Sequence, residues 1–461
     1  MKIDVLVAEI GSTTTVVNAF NKIDSSTPSF LGQGQAPTSV LEGDVRIGLQ
    51  GAIDDLAQNL NEKSIDYVEM LATSSAAGGL KMTVHGLVYD MTVRAAKEAA
   101  LGAGANLHQI TAGKMRRSDL KKLQEIKPNI ILIAGGVDYG EKDTAIENAE
   151  KIADLNLNVP IIYAGNIENQ EEVRLIFEDT NSRLYIAENV YPQIDNLNIE
   201  PTRKIIQDVF EEHIIHAPGM KQVRDMVNGP IIPTPGAVME AAKLLKEKMG
   251  DLIAFDVGGA TTDLHSVTEG SEEINRILLS PEPVAKRTVE GDLGVYINMQ
   301  NILDLIGKEE LQKEMDFDIE QMVESHVPIP RTDKEIRFAE RLAQEAVKIS
   351  VQRHAGHIRN LYGPGGKTTV AEGKDLSGIR YVIGTGGALT RLPHGKKMLK
   401  SILYSNQKNK MMPTEEATVL LDHHYIMASL GVLSKKYPEA AYHLMKESMD
   451  WNGAEKSESK N

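Results

Sequence analysis

Glu9-Ile10-Gly11-Ser12-Thr13-Thr14-Thr15 and, far along the chain, Asp256-Val257-Gly258-Gly259-Ala260-Thr261-Thr262-Asp263 share one layout. An acid closes an apolar run, glycine follows, then small residues and adjacent hydroxyls. The runs at 3–10 and 252–257 are short and rich in Val and Ile, as buried strands are. Each resumes beyond the glycines as a second β-like stretch, at 15–20 and 262–267, so each motif predicts a hairpin. Glycine permits the tight turn. Hydroxyls and backbone N–H groups hydrogen-bond phosphate oxygens without crowding them. A carboxylate at a strand end, such as Glu9, suits the waters of a hydrated Mg²⁺. Taken singly, the first motif reads as an ordinary Gly-Ser/Thr hairpin. In the second, a hairpin tip explains the glycine pair but not the second acid, Asp263.

A third turn, Gly384-Thr385-Gly386-Gly387-Ala388-Leu389, follows the apolar run at 380–383 and leads towards 399–403, which reads as helix. Three glycines within four residues let a backbone approach a flat ring or a phosphate, although many strand–helix turns look alike. Two hairpins and a βα turn, spread over the whole chain, point to one composite site. No short internal repeat is evident, but the paired hairpins fit an old duplication.

The composition narrows what the site can serve. The 461 residues are 41% hydrophobic and 25% charged, which fits a folded chain of several domain-sized units and not a disordered one. The net charge of −15 and 5% aromatic content argue against nucleic-acid binding, which needs clustered Lys and Arg or stacking platforms. With no cysteine, disulfides, iron–sulfur clusters, thiolate zinc sites and a cysteine nucleophile are excluded. No run approaches the roughly 18 apolar residues of a membrane helix, and the first residues read as a strand, so a soluble cytoplasmic protein is expected.

Between the hairpins the rhythm changes. Runs at 130–134 and 161–164 read as parallel strands with a helix at 143–155 between them, a βαβ pattern and an inserted α/β subdomain. Helices are predicted at 95–105, at 237–248 after Pro233-Thr234-Pro235-Gly236, at 333–356, and at 414–433 behind a Thr-Glu-Glu cap-like start. Ala134-Gly135-Gly136-Val137-Asp138 and Ala164-Gly165-Asn166 end the two inserted strands; they are ordinary strand-ending turns or the lining of a crevice.

Order and spacing of the three motifs resemble the actin, sugar-kinase and heat-shock chaperone ATPase superfamily. There, two βββαβα halves clamp Mg–ATP. The resemblance implies an α/β chain with a duplicated actin-like ATPase (ribonuclease H-like) fold. Residues 1–65 would begin the N-terminal half, 66–215 form the inserted subdomain, 216–450 the C-terminal half, and 451–461 a polar tail. Gly11, Ser12, Thr13 and Thr14 would form the first phosphate loop, and Gly258, Gly259, Thr261 and Thr262 the second. Gly384, Gly386 and Gly387 would form the adenosine loop. Glu9, Asp256 and Asp263 would surround the waters of Mg²⁺, with ATP or ADP as the nucleotide. Glu345 and Lys348, three apart on a helical face, match a pair that contacts adenosine in chaperone ATPases, and equally make a surface ion pair. Two departures stand out. Glu9 replaces the family's usual Asp, and 231–236 carries no acid beside its Pro-Thr, which leaves Asp263 as candidate for activating water, with Asp256 beside it.

Most of the chain, about 1–440, resembles more narrowly the accessory proteins of adenosylcobalamin-dependent glutamate mutase (GlmL/MutL type, unrelated to mismatch repair). The carrying stretches are 9–15, 71–80, Ala99-Ala100-Leu101-Gly102-Ala103-Gly104-Ala105, Arg287-Thr288-Val289-Glu290-Gly291-Asp292-Leu293-Gly294 and 383–389. That resemblance implies an ATP-driven, chaperone-like reactivase that helps a mutase exchange damaged cobalamin, with the mutase as partner, the insert facing it, and a homo-oligomer possible. A small-molecule kinase of the same fold and a non-catalytic nucleotide-binding scaffold are the alternatives.

Three near matches fail. Gly363-Pro364-Gly365-Gly366-Lys367-Thr368 is no P-loop, because Leu361 stands where the first glycine belongs, and a basic hairpin is the better reading. Asp263-Leu264-His265-Ser266-Val267-Thr268 approaches the Asp-x-His-x-x-Gly cobalamin motif but ends in Thr268. His423-His424, adjacent on an expected helix, would point about 100° apart and chelate poorly.

Overall fold

The computed structural model describes residues 1–11, 14–39, 44–75, 80–214, 220–363, 366–404 and 409–451. By its own contacts the chain divides into two compact units. One holds Met1–Asn21, Phe30–Glu240 and Asn275–Arg287; the other holds Lys22–Ser29, Ala241–Ile274 and Thr288–Asn461.

The first unit opens with β1 (Lys2–Ile10), β2 (Thr14–Asn21) and β3 (Ser29–Pro37), then helix Val45–Asn59 and β4 (Asp66–Ser74). After a long excursion the chain returns as β10 (Ile231–Pro233), and the sheet runs β10-β4-β1-β2-β3. β1 pairs antiparallel with β2 and parallel with β4, which pairs parallel with β10. Helix Val45–Asn59 covers one face with Val45, Leu49, Ala52, Ile53 and Leu56, at helical spacing. Close packing explains Gly34 on β3. A Cβ there would stand 2.2 Å from the Ala52 carbonyl oxygen.

The excursion contains β5 (Leu80–Gly86), β6 (Ala105–Ala112), β7 (Ile130–Ile133), β8 (Ile161–Tyr163) and β9 (Leu184–Ile186), ordered β6-β5-β7-β8-β9 and wholly parallel. The expected βαβ unit is present, with helix Asp143–Asp154 between β7 and β8. Both faces of this sheet are covered. Met82, Val84, Ile130, Leu132 and Ile162 join one core, while Ile131, Ile133, Ile161 and Tyr163 join another under helices 117–126 and 143–154. Double burial is why these strands read as unbroken apolar runs.

The second unit repeats the first topology. β11 (Leu252–Val257) and β12 (Thr262–Val267) form the expected hairpin; β13 (Ala285–Glu290), whose residues up to Arg287 are counted with the first unit, follows, then helix Asp333–His354. A side hairpin, β14 (His357–Gly363) and β15 (Gly366–Glu372), precedes β16 (Tyr381–Thr385) and β17 (Thr418–Leu421). The order β13-β12-β11-β16-β17 matches the first sheet strand for strand, with β11–β16 and β16–β17 parallel. Two sheets of this βββαβα topology make the duplicated actin-like fold. The basic hairpin expected around 363–368 is β14–β15; residues 364–365 lie outside the described residues, as do 452–461 of the polar tail.

Two expectations need correction. The helix expected at 414–433 is β17 followed by a turn and helix Met427–Leu433. Val419, Leu420 and Leu421 are buried beside β16, and a short apolar run has no period that separates strand from helix. His423 and His424 therefore sit in the turn after β17, their N–H groups donating to the Ser448 carbonyl and hydroxyl oxygens. The third motif also begins later than expected, because Gly384 and Thr385 belong to β16. A Cβ at Gly384 would stand 2.5 Å from a Leu399 methyl and 3.0 Å from one of Leu421, so that glycine serves core packing.

Candidate functional site

The two motifs fold into hairpins of identical register. In the first, the Gly11 N–H donates to the Thr14 carbonyl at 3.0 Å; in the second, Gly258 donates to Thr261 at 3.0 Å. On its parallel neighbour each acid stands opposite a threonine, Glu9 opposite Thr73 and Asp256 opposite Thr385. The hairpins differ across the turn. Glu9 faces Val16, whereas Asp256 faces Asp263. The second acid therefore belongs to one half only.

In the first unit, Gly11 closes the turn with no room for a side chain, since a Cβ would lie 2.5 Å from the Thr14 carbonyl oxygen. Ser12 and Thr13 lie outside the described residues. Thr14 is exposed at the start of β2. Glu9 is buried and accepts from Asn18 Nδ2 at 3.3 Å. Thr234, the first residue of the helix after β10, donates its hydroxyl to Thr73 Oγ1 at 3.1 Å. The ends of β1, β4 and β10 thus gather one carboxylate and several hydroxyls. Thr73 and Thr234 had no signal in the sequence beyond a Pro-Thr pair.

The second hairpin is held from one side. Val295 N–H donates to the Gly258 carbonyl, Tyr296 and Ile297 N–H groups to that of Gly259, and Asn298 Nδ2 to that of Ala260, at 2.7–3.2 Å. Gly294 packs against Ala260, where a Cβ would lie 2.3 Å from its carbonyl. Three successive carbonyls are thereby turned towards 294–298. A trans peptide aims its N–H opposite to its C=O. The amides of Gly259, Ala260 and Thr261 consequently face the other way, as a row of donors available to an anion. The side-chain hydroxyls are committed elsewhere: Thr261 donates to Asp263 Oδ2 at 3.2 Å and buried Thr262 to the Leu293 carbonyl at 2.7 Å.

The third motif meets the second directly. Gly386 has φ +86°, and a Cβ there would lie 2.5 Å from both Asp256 Oδ1 and the Val257 nitrogen. Gly387 is open, with nothing within 4 Å of an added Cβ. Glu345 and Lys348 form the expected pair at 3.0 Å, and Arg341 takes the other Glu345 oxygen at 2.9 Å. Burial raises the Glu345 pKa, yet the two cations outweigh it and leave the carboxyl below its ordinary value.

A carboxylate group beside this hairpin went unassigned in the sequence. Arg353 bridges Glu290 at 2.6 Å and Asp292 at 2.7 Å, at the start of the segment that holds 258–260. Burial lifts the Glu290 pKa against the pull of Arg353, and the charges of Asp292 and Asp263 act with burial. The hydrogen bond from Arg353 lowers that of Asp292. Removing Arg353 leaves Glu290 buried without its cation and raises its pKa further. A folded-state pKa above the unfolded one costs stability once pH passes it, and none at pH below the unfolded value. Arg353→Met is therefore expected to lose about 2 kcal/mol at pH 7, and to approach wild type near pH 4 as Glu290 takes a proton. Urea melts across that range check it; equal losses at both pH values refute it.

Two of the other stretches touch within the first unit, to which Arg287 belongs. Buried Arg287 donates to the Leu101 and Ala105 carbonyls at 3.2 and 3.1 Å, and Gly104, at φ +100°, lies against Pro233 and Gly236. Residues 76–79 of the second stretch lie outside the described residues. Among the described residues no helix is long and apolar enough to cross a membrane, and no three or more His, Asp or Glu side chains assemble as a metal set.

Solved structures resembling this chain include nucleotide-free acetone carboxylase (13% identity, 94% of this chain and 70% of that one, TM-score 0.41). Nucleotide-free diol dehydratase-reactivating factor is another (11%, 95% and 100%, TM-score 0.38). The "Protein MutL" of Clostridium tetanomorphum is 35% identical over 456 residues, spanning 96% of this chain and 98% of its own length. The sequence model of the family described as MutL protein matches residues 5–449. With most of its length inside that match, the chain belongs to the MutL protein family.

Proposed function

We propose that this protein is an ATP-binding, chaperone-like reactivase that helps an adenosylcobalamin-dependent mutase, glutamate mutase first among them, exchange inactivated cofactor. The observation that carries the nucleotide part is the row of amides at Gly259, Ala260 and Thr261, turned outward by the clamp on their carbonyls. Gly11 and Thr14 of the first hairpin, with Ser12 and Thr13, are assigned the other phosphate contacts, and Gly386 and Gly387 the adenosine side. The donor chemistry fits Mg²⁺ arriving with the nucleotide. That ion keeps most of its waters and needs only one or two carboxylates. Asp256 and Glu9 would hold those waters, and the ion would neutralise phosphate charge. Asp263, buried and facing Asp256, is assigned the activation of water.

Support for the mutase comes from family membership and the sequence resemblance. The physical logic is that of a clamp with two states. Closing on ATP and relaxing after hydrolysis gives different affinities for a partner, and that difference can prise a damaged cofactor loose. The test mixes inactivated glutamate mutase, this protein, fresh cofactor and either Mg-ATP or a non-hydrolysable analogue. Recovery with ATP alone is expected. Equal recovery with both removes hydrolysis from the mechanism. No recovery overturns the reading, and stoichiometric phosphorylation of a metabolite would select a kinase instead.

A further inference from the structure

We propose that the edge formed by the C-terminal ends of β5, β7, β8 and β9 docks a protein partner whose contact face is apolar at its centre and rimmed by Lys and Arg towards β9. It rests on the partner-handling role proposed above, and adds the face by which the partner is held.

β5, β7, β8 and β9 are adjacent and parallel, so their following loops emerge along one edge, spread over about 15 Å. Every one of these loops exposes a large apolar or aromatic side chain: Val88 and Tyr89 after β5, Tyr139 after β7, Ile167 after β8 and Ile194 after β9. Tyr139 is 77% exposed and Ile194 70%. Single exposed apolar residues need no explanation, but their recurrence on every one of four neighbouring loops points to an interaction site.

The backbone beneath them is held rigidly and unusually. Asp138 Oδ1 accepts from the Ile167 N–H and from Asn189 Nδ2, both at 2.9 Å. The Asp138 N–H donates to the Pro192 carbonyl, and the Tyr139 N–H to Asn166 Oδ1. These bonds tie three of the loops together. Tyr139 and Asp195 have φ of +63° and +61°. A bulky residue at positive φ is strained, and Tyr139 gains no burial in return. Residues Tyr89–Val93 form a single π-helical turn, a feature that recurs at functional sites. A rigid platform loses little freedom on binding, and exposed tyrosines on such platforms are frequent anchors.

Charge selects the occupant. Exposed Asp90, Glu141, Glu168, Glu188 and Asp195 lie in these four loops, whose one base, Lys142, is paired with Glu168 at 2.9 Å; the exposed Lys114, Arg116 and Arg117 after β6 stand at the far end of the edge, beyond β5. Around Tyr139, Ile167 and Ile194 this charge repels nucleic acid and anionic membrane. A protein face with a basic rim is complementary.

The test uses the full chain and glutamate mutase holoenzyme with Mg-ADP, read by surface plasmon resonance. Glycine adopts positive φ freely, so Tyr139→Gly removes the ring while keeping the backbone, and its melting temperature should equal or exceed wild type. Expected are a roughly tenfold rise in Kd for Tyr139→Gly, a similar rise for Ile167→Ser, and a larger one for the pair. Association should also slow between about 0.05 and 0.3 M NaCl. Wild-type affinity in the double variant overturns this inference and leaves the proposed function standing. Absence of wild-type binding defeats both. Loss of self-association in the variants, with mutase binding intact, would make the occupant a second copy and overturn the proposal.

Discussion

Alanine at Gly386 is expected to lower stability by about 2–5 kcal/mol and to abolish Mg-ADP binding. Two costs add. The position sits at φ +86°, where an L-residue costs about 1–2 kcal/mol. The new methyl would also lie 2.5–2.6 Å from the Val257 nitrogen and oxygen and from Asp256 Oδ1. Backbone atoms cannot rotate aside, so β11 or the turn must move, at about 1–3 kcal/mol. That movement displaces Asp256 itself. Gly387→Ala is the control for stability alone, because its added methyl meets nothing within 4 Å while the position itself is assigned to the adenosine side. Urea melts on both variants and calorimetric titration with Mg-ADP on Gly386→Ala decide the matter. A Gly386→Ala protein that melts and binds like wild type would remove the contact between the third motif and the second.

Asp256→Asn should separate function from stability in the opposite sense. The side chain keeps its shape and loses its charge. Removing charge that would hold the waters of Mg²⁺ beside the phosphates is expected to reduce ATP turnover by about 10²–10⁴-fold. Asp256 stands directly across from Asp263, and like charges at such a pair are destabilising by about 0.2–1 kcal/mol. The apo variant should therefore melt at or slightly above wild type while turnover collapses. Unchanged turnover would sink the metal-water assignment, and a large drop in melting temperature would make Asp256 a structural residue.

Strands with glycine punctuation were legible, because apolar runs of four to eight residues read as ending at Gly11, Gly258 or Gly384 have few other solutions, although the third strand runs on to Thr385. The repeated hairpin was legible for the same reason. β17 was not. Its apolar run is too short to carry a period, and Thr414-Glu415-Glu416 imitates a cap. The clamp on Gly258–Ala260 was also hidden. It is made by backbone N–H groups of 295–297 and by Asn298, and backbone donors leave no trace in residue type. Glu290, Asp292 and Arg353 are ordinary acids and a base in the sequence. Only the tertiary fold brings the helix Asp333–His354 alongside β13 and makes them a group. Gly384 shows the converse, a glycine read as loop that the fold uses to let three leucines close over β16.

The interruption of the first sheet has a consequence for biosynthesis. β4 ends at Ser74 and its outer partner, β10, starts at Ile231. At about 5–20 residues per second, roughly 10–30 s pass between the emergence of the two from the ribosome. During that interval the nascent chain carries β1 to β4 with an open edge, the feature most prone to pairing with a neighbouring chain. The β5–β9 sheet, complete within 80–186, has time to condense first and to bring the chain back towards that edge. Codon usage or chaperone supply across 75–230 would then govern the yield of native protein, and damage to the inserted sheet would surface as aggregation of the half that precedes it.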